Sequence, residues 1–206
     1  MITIIDYGMG NLRSVQKGFE RVGFQARVTD DPRQVTAAEK LVLPGVGAFR
    51  DCMNNLEEGG FVEPIKQHVA CGRPFLGICL GMQLLFTESE EFGRHAGLDI
   101  IPGRVVKFPP GLRFGGEDLK IPHMGWNRMA IRRPSPLYAG VDDGSFVYFV
   151  HSYYVVPDDP AMVATETDYG VQFCSSIWHD NVLATQFHPE KSQAVGLKML
   201  ENFGNL

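Results

Sequence analysis

Two short segments of this chain carry residue types able to do covalent chemistry. Gly77-Ile78-Cys79-Leu80-Gly81 has the small-x-nucleophile-x-small form of a nucleophile elbow, with cysteine in the place of serine. A side chain forced onto a sharp strand-to-helix turn needs neighbours without Cβ bulk. A helix starting there would aim backbone N–H groups at the sulfur and favour thiolate over thiol. A buried structural cysteine between packing glycines explains the same five residues, so the motif alone leaves both readings open.

The second segment is Gln186-Phe187-His188-Pro189-Glu190. Residues two apart on an extended segment share a face, which would put Glu190 beside the His188 imidazole, and Pro189 holds His188 to extended dihedrals. Nucleophile, histidine and orienting acid are the set that covalent acyl transfer requires. His188-Pro189-Glu190 also matches the H-x-E of zinc deaminases, but the P-C-x-x-C partner is missing, so no metal is expected. Gly8-Met9-Gly10 follows a strand-like run, yet Arg13 stands where a dinucleotide fingerprint needs its third glycine, which argues against a nicotinamide cofactor. Pro44-Gly45-Val46-Gly47 could turn backbone N–H groups toward a neighbouring strand end as an oxyanion hole, or be only a tight βα turn.

The elements that must position these residues follow from periodicity. In the first half, apolar runs at Ile2 to Tyr7, Gln25 to Thr29, Lys40 to Leu43 and Pro74 to Ile78 alternate with helical patterns. Leu12, Val15, Phe19 and Val22 mark one helix, Phe49, Met53 and Leu56 a second, and Val62 to Ala70 a third. This reads as parallel strands with helical crossovers, and Leu80 to Phe86 reads as a helix leaving the nucleophile. The second half holds short strand-like runs at Arg104 to Phe108, Arg128 to Ile131, Phe146 to Val150, Met162 to Thr165, Val171 to Ile177 and Val182 to Phe187. Antiparallel hairpins are expected there, with a turn at Asp180-Asn181. Ser192 is placed to cap a final helix burying Leu197, Leu200 and Phe203. The expectation is a single α/β domain over residues 1–206, with a central mixed, mostly parallel sheet.

Composition narrows the partners. Nineteen Lys and Arg against 24 Asp and Glu give a formal charge of -5, with no basic excess for nucleic acid. The most apolar stretch, Pro74 to Phe86, is shorter than the roughly 20 residues of a membrane span, and the N-terminus lacks a basic leader. A cytoplasmic chain is expected. Cys52, Cys71, Cys79 and Cys174 form no CxxC pair and no disulfide framework.

Gly77-Ile78-Cys79-Leu80-Gly81-Met82-Gln83 together with Phe187-His188-Pro189-Glu190-Lys191-Ser192 resembles the triad-type, class-I glutamine amidotransferases. Asp6-Tyr7-Gly8-Met9-Gly10-Asn11-Leu12, Pro44-Gly45-Val46-Gly47-Ala48-Phe49, Pro122-His123-Met124-Gly125-Trp126-Asn127 and Val150-His151-Ser152-Tyr153 resemble one branch of that family. The resemblance implies that Cys79 attacks the carboxamide of glutamine, that His188 shuttles protons and that Glu190 orients it, giving a glutamyl thioester, ammonia and glutamate without a cofactor. It further implies that Gln83 and Glu91 hold the glutamine head groups, that the backbone of Ser152 and Tyr153 binds its carboxylate, and that Gly45, Val46 and Gly47 form the oxyanion hole.

The same branch implies a (β/α)8-barrel cyclase as heterodimer partner. Its interior would conduct ammonia to a phosphoribulosyl-formimino carboxamide ribonucleotide in histidine biosynthesis. Asn11, Trp126, Tyr148 and Lys191 match positions near that interface. Two alternatives stand beside this: the glutaminase of another triad synthase, and a catalytically silent regulatory subunit.

Overall fold

The computed structural model describes the backbone of residues 1–206 and every side chain except that of Phe114. Its first half is a βα alternation: β1 (Ile2–Ile5), α1 (Leu12–Arg21), β2 (Ala26–Thr29), α2 (Pro32–Thr36), β3 (Lys40–Gly45), α3 (Phe49–Glu58), α4 (Val62–Ala70), β4 (Phe75–Cys79) and α5 (Leu80–Gln83). The second half runs through β5 (Phe86–Ser89), β6 (Ile101–Lys107), β7 (His123–Arg128), β8 (Phe146–His151), β9 (Tyr153–Pro157), β10 (Val163–Asp168), β11 (Gln172–His179), β12 (Val182–Thr185) and α6 (Gln193–Gly204). Four two-residue strands and three short 3-10 turns complete it.

The main sheet runs β2-β1-β3-β4-β12-β11-β9-β6-β5, with His95–Ala96 beyond β5 and β10 branching from β11. The five strands β2-β1-β3-β4-β12 are parallel throughout. From β11 onward the pairing is antiparallel except where β5 meets β6, so the sheet is mixed, with its parallel half beneath the elbow. β7 and β8 form a separate antiparallel ribbon in which His123 faces His151 and Trp126 faces Tyr148.

The central strands are buried on both sides, and their side chains alternate between two cores. Ile5, Leu41, Leu43 and Phe75 pack with Met53 and Leu56 of α3 and Ile65 of α4. Ile2, Ile4, Val42, Leu76 and Ile78 pack on the other face with Val15 and Phe19 of α1 and Met199, Leu200 and Phe203 of α6. Helices thus cover both faces of the parallel half.

Several sequence expectations needed correction. The helix read over Leu80 to Phe86 stops at Gln83, and the chain is a strand again by Phe86. Leu84 N still donates to Leu80 O, but Leu85 N closes on Met82 O in a tighter turn and Phe86 pairs with Ile101; the carbonyls of Leu84 and Leu85 then accept from Leu98 N and from Ile100 N and Ile101 N. Val62–Ala70 forms as expected, but α2, β7 and β9 were not read; β7 carries a half-polar pattern with no hydrophobic alternation, and α2 and β9 are only five residues long. Ser192 occupies the N-cap of α6 without a side-chain cap bond; its hydroxyl instead donates to His188 O and accepts from Tyr148 N. Leu197 is only half buried, and Met199 takes the core position.

Two glycines let β3, β4 and the elbow close on one another. A Cβ on Gly81 would collide with the Leu43 carbonyl oxygen of β3, and one on Gly77 would sit 2.8 Å from Gly81 O. Both obstacles are backbone and cannot rotate away. Gly81→Ala is therefore expected to destabilise the chain by about 3 kcal/mol. A denaturant melt with an unchanged midpoint would show that β3 and α5 can part without cost.

Candidate active site

Cys79 ends β4 and starts α5 with φ 56 and ψ -112, the left-handed strained geometry of a nucleophile elbow. Because α5 has only four residues, the summed dipole of a long helix is absent from behind the sulfur. Sγ lies 3.8 Å from Val150 O and 3.7 Å from Gln186 Nε2.

Parallel pairing of β4 with β12 brings the C-terminal ends of the two strands to the same level, so the segment after Thr185 passes beside Cys79. His188 is extended at φ -100 and ψ 98, as its following proline dictates. Its Nδ1 is 2.8 Å from Glu190 Oε1, and both side chains are almost completely buried. The means differ from the expected extended segment: Pro189–Lys191 is a 3-10 turn, and that turn swings the carboxylate back onto the imidazole. His188 Nε2 makes no hydrogen bond of ordinary geometry, and Cys79 is the neighbour whose charge acts on it. Burial works against a charged imidazole here. Negative charge and hydrogen bonding from Cys79, and then from Glu190, outweigh it and push His188 up to about 10. An imidazolium held beside a sulfur and a carboxylate can activate a thiolate and protonate a leaving amine.

A cavity of about 260 Å³ opens beside Cys79, lined in part by Val46, Gly47, Gln83, Glu91, Ser152 and Tyr153. Of the residues assigned to substrate and oxyanion by resemblance, only Gly45 is set back, within β3 in register with Cys79. Gln83 is buried, not an exposed helix residue; its Nε2 donates to Tyr153 O at 3.0 Å and to Gln186 Oε1 at 2.9 Å. Glu91 accepts from Phe49 N, which ties it to the first turn of α3. In the Pro44 to Gly47 turn, the Tyr7 hydroxyl donates to Pro44 O at 2.9 Å and Cys52 Sγ to Val46 O at 3.5 Å, while Gly47 takes φ 99.

Gln186 and His151 were missed by sequence reasoning. Gln186 touches the sulfur and Gln83, and its signal was present: it lies two residues before His188 on the same strand extension. His151 gave no comparable signal, because it lines the cavity through a cross-strand pairing that no local pattern announces.

Three of the four residues assigned to a partner face lie together. Trp126 is half exposed, its ring 5.9 Å from that of Tyr148, and Lys191 Nζ lies 5.9 Å from the same Tyr148 ring. Asn11 stands at the N-terminus of α1, without a side-chain cap bond. Val46, Met124, Trp126 and Phe146 are all exposed, and Val46 and Met124 also line the cavity.

The family model for class-I glutamine amidotransferases matches residues 3–205. The chain is 70% identical over 206 residues, all of both chains, to the imidazole glycerol phosphate synthase subunit HisH of Syntrophotalea carbinolica. It is 67% identical to that of Geobacter sulfurreducens, covering 100% of this chain and 98% of the relative. To that of Aquifex aeolicus it is 56% identical, covering 97% and 94%. Among solved structures, a glutamine amidotransferase superposes with a TM-score of 0.75 at 16% identity over the whole of both chains. A chain of PurLQS from Thermotoga maritima gives 0.72 at 16% identity over 99% and 97%. The last two likenesses speak for the fold alone.

Proposed function

Starting from a chain that belongs to the class-I glutamine amidotransferase family, we propose that it is the glutaminase subunit of an imidazole glycerol phosphate synthase, releasing ammonia from glutamine for histidine biosynthesis. The observation that carries this is a buried His188–Glu190 pair acting on Cys79, which itself lines the cavity, in a chain at 70% identity to a HisH subunit.

Cys79 Sγ adds to the carboxamide carbon of glutamine, and the carbonyl π pair moves onto oxygen. Backbone N–H groups of the Gly45-Val46-Gly47 turn are the proposed donors to that oxyanion. His188 gives its proton to the amide nitrogen, the C–N bond breaks, and ammonia leaves a glutamyl thioester. Water then loses a proton to His188 as it attacks the thioester, and glutamate departs with the C–S bond broken. Glu190 holds the imidazole and balances its charge throughout. Gln83, Glu91 and the backbone at Ser152 and Tyr153 form the walls against which the glutamine head groups would rest.

The partner is a (β/α)8-barrel cyclase forming a heterodimer, with Asn11, Trp126, Tyr148 and Lys191 on the contact face. The exposed Val46 and Met124 at the cavity, with the exposed Trp126 and Phe146 on the β7–β8 ribbon that carries Met124, support a docking surface there. Among the described residues no helix is long and apolar enough to cross a membrane, and a cytoplasmic location fits the reading. The test is glutamate release by this chain alone, with the cyclase, and with the cyclase and its ribonucleotide ligand. Turnover that rises at least about tenfold in the liganded complex is the expected result; stimulation by another synthase and not by the cyclase would overturn it.

A further inference from the structure

Across the β7–β8 ribbon, outside the catalytic triad, lies a buried chain of polar groups ending at the same cavity. Asn127 Nδ2 is 3.3 Å from His123 Nε2, His123 Nδ1 is 3.0 Å from His151 Nε2, and His151 Nδ1 is 2.8 Å from Tyr153 O. The direction of every bond follows from its far end. A carbonyl oxygen only accepts, so His151 carries its proton on Nδ1 and its Nε2 is a bare acceptor. His123 must then donate from Nδ1, which leaves its Nε2 to accept from the Asn127 amide. Arg128 N donates to Asn127 Oδ1 at 2.8 Å, and Asn127 Nδ2 also donates to Asp168 O at 2.9 Å, so the amide cannot turn over. An extra proton on either imidazole would face a donor.

The surroundings favour the same state. The His123 ring stacks on Phe149 and Tyr169 at 4.6 and 3.9 Å, and Phe108 and Phe173 close around both imidazoles. Burial drives His123 down to about 4 and His151 down to about 3, the latter also under the charge of His188. Tyr153 O receives a second donor, Gln83 Nε2, whose other proton goes to Gln186 Oε1. The Gln83 amide is thereby fixed with Oε1 as an acceptor for the cavity that Gln83 lines.

We propose that His123 and His151 are positioning residues for the glutamine site, a tautomer-locked pair that fixes the Tyr153 carbonyl and, through it, the Ser152–Tyr153 wall and the Gln83 amide. This rests on the glutaminase reading for what occupies the cavity. The hydrogen-bond partners of the sulfur are Val150 O and Gln186 Nε2 and neither imidazole, so loss of the pair acts on the binding of glutamine.

The test has two arms. In the first, glutamine turnover is measured in the cyclase complex for His151→Leu and His151→Asn; asparagine keeps a donor near the Nδ1 position, leucine keeps none. His151→Leu should raise KM about tenfold with kcat within about threefold of the parent, and His151→Asn should recover most of that loss. An unchanged KM in His151→Leu, or equal impairment in both, would overturn the proposal. The second arm reads the unmodified full chain by nitrogen NMR of the histidine side chains, independently of activity and of any variant's folding. Protons on Nδ1 of both His123 and His151 are expected; a proton on Nε2 of either would overturn the chain of donors. Should no complex release glutamate, the glutaminase reading fails by itself while this arm still reports on the pair.

Discussion

Cys79→Ala is expected to lower glutamate release in the cyclase complex by roughly 10⁴-fold or more while the chain stays folded. The substitution keeps Cβ, so the strained φ of 56 is neither relieved nor worsened, and only one heavy atom is lost from a buried site. Its nearest polar neighbours, Val150 O and Gln186 Nε2, stand at 3.8 and 3.7 Å and lose little. Stability should fall by only about 1 kcal/mol. Removing the sulfur also removes the charge that contributes most to raising His188, so that imidazole should titrate below about 10 in the variant. Glutamate release within tenfold of the parent would show that another group attacks the carboxamide. A collapsed melting transition would mean that the lost activity reports folding instead of chemistry.

What could be read in the sequence divides along a physical line. The parallel half was legible because Ile2 to Ile5, Lys40 to Gly45 and Phe75 to Cys79 are buried on both faces and therefore apolar except at Thr3 and Lys40. The amphipathic helices between them repeat at helical spacing. The ribbon was not, because β7 carries His123, Gly125 and Asn127 toward a polar chain and Met124 and Trp126 toward the surface, which leaves no hydrophobic alternation. Likewise Leu80 to Phe86 has helical periodicity, but Leu85 N turns tightly onto Met82 O and Phe86 pairs with Ile101, a partner too far along the chain for any local pattern to show. In the site, Cys79, His188 and Glu190 could be named from motif and spacing. That Gln83 is buried and bonded to Tyr153 and Gln186 depends on α5, β9 and the segment after β12 meeting, which separations of 70 and 103 residues along the chain do not disclose.

Glu190→Gln separates charge from shape in the proposed triad and should lower kcat by roughly 10²- to 10⁴-fold with a small change in KM. The amide is nearly isosteric with the carboxylate, and Oε1 could still accept from His188 Nδ1 at 2.8 Å. The amide nitrogen would then fall where Oε2 is now buried without a partner, leaving an unsatisfied donor. In the opposite orientation an N–H would meet Nδ1–H and force the proton to the other ring nitrogen. In either arrangement the negative charge that helps hold His188 as imidazolium is gone. The sign of the pH effect follows. With its folded pKa raised from 6.5 to about 10, charged His188 stabilises the fold fully below about 6.5, and that contribution is lost as pH rises toward about 10. Stability of the unmodified chain should therefore fall across that window more steeply than stability of Glu190→Gln, as read from denaturant midpoints at pH 6, 8 and 10. Parallel slopes in the two proteins would show that Glu190 positions the ring without supporting its charge.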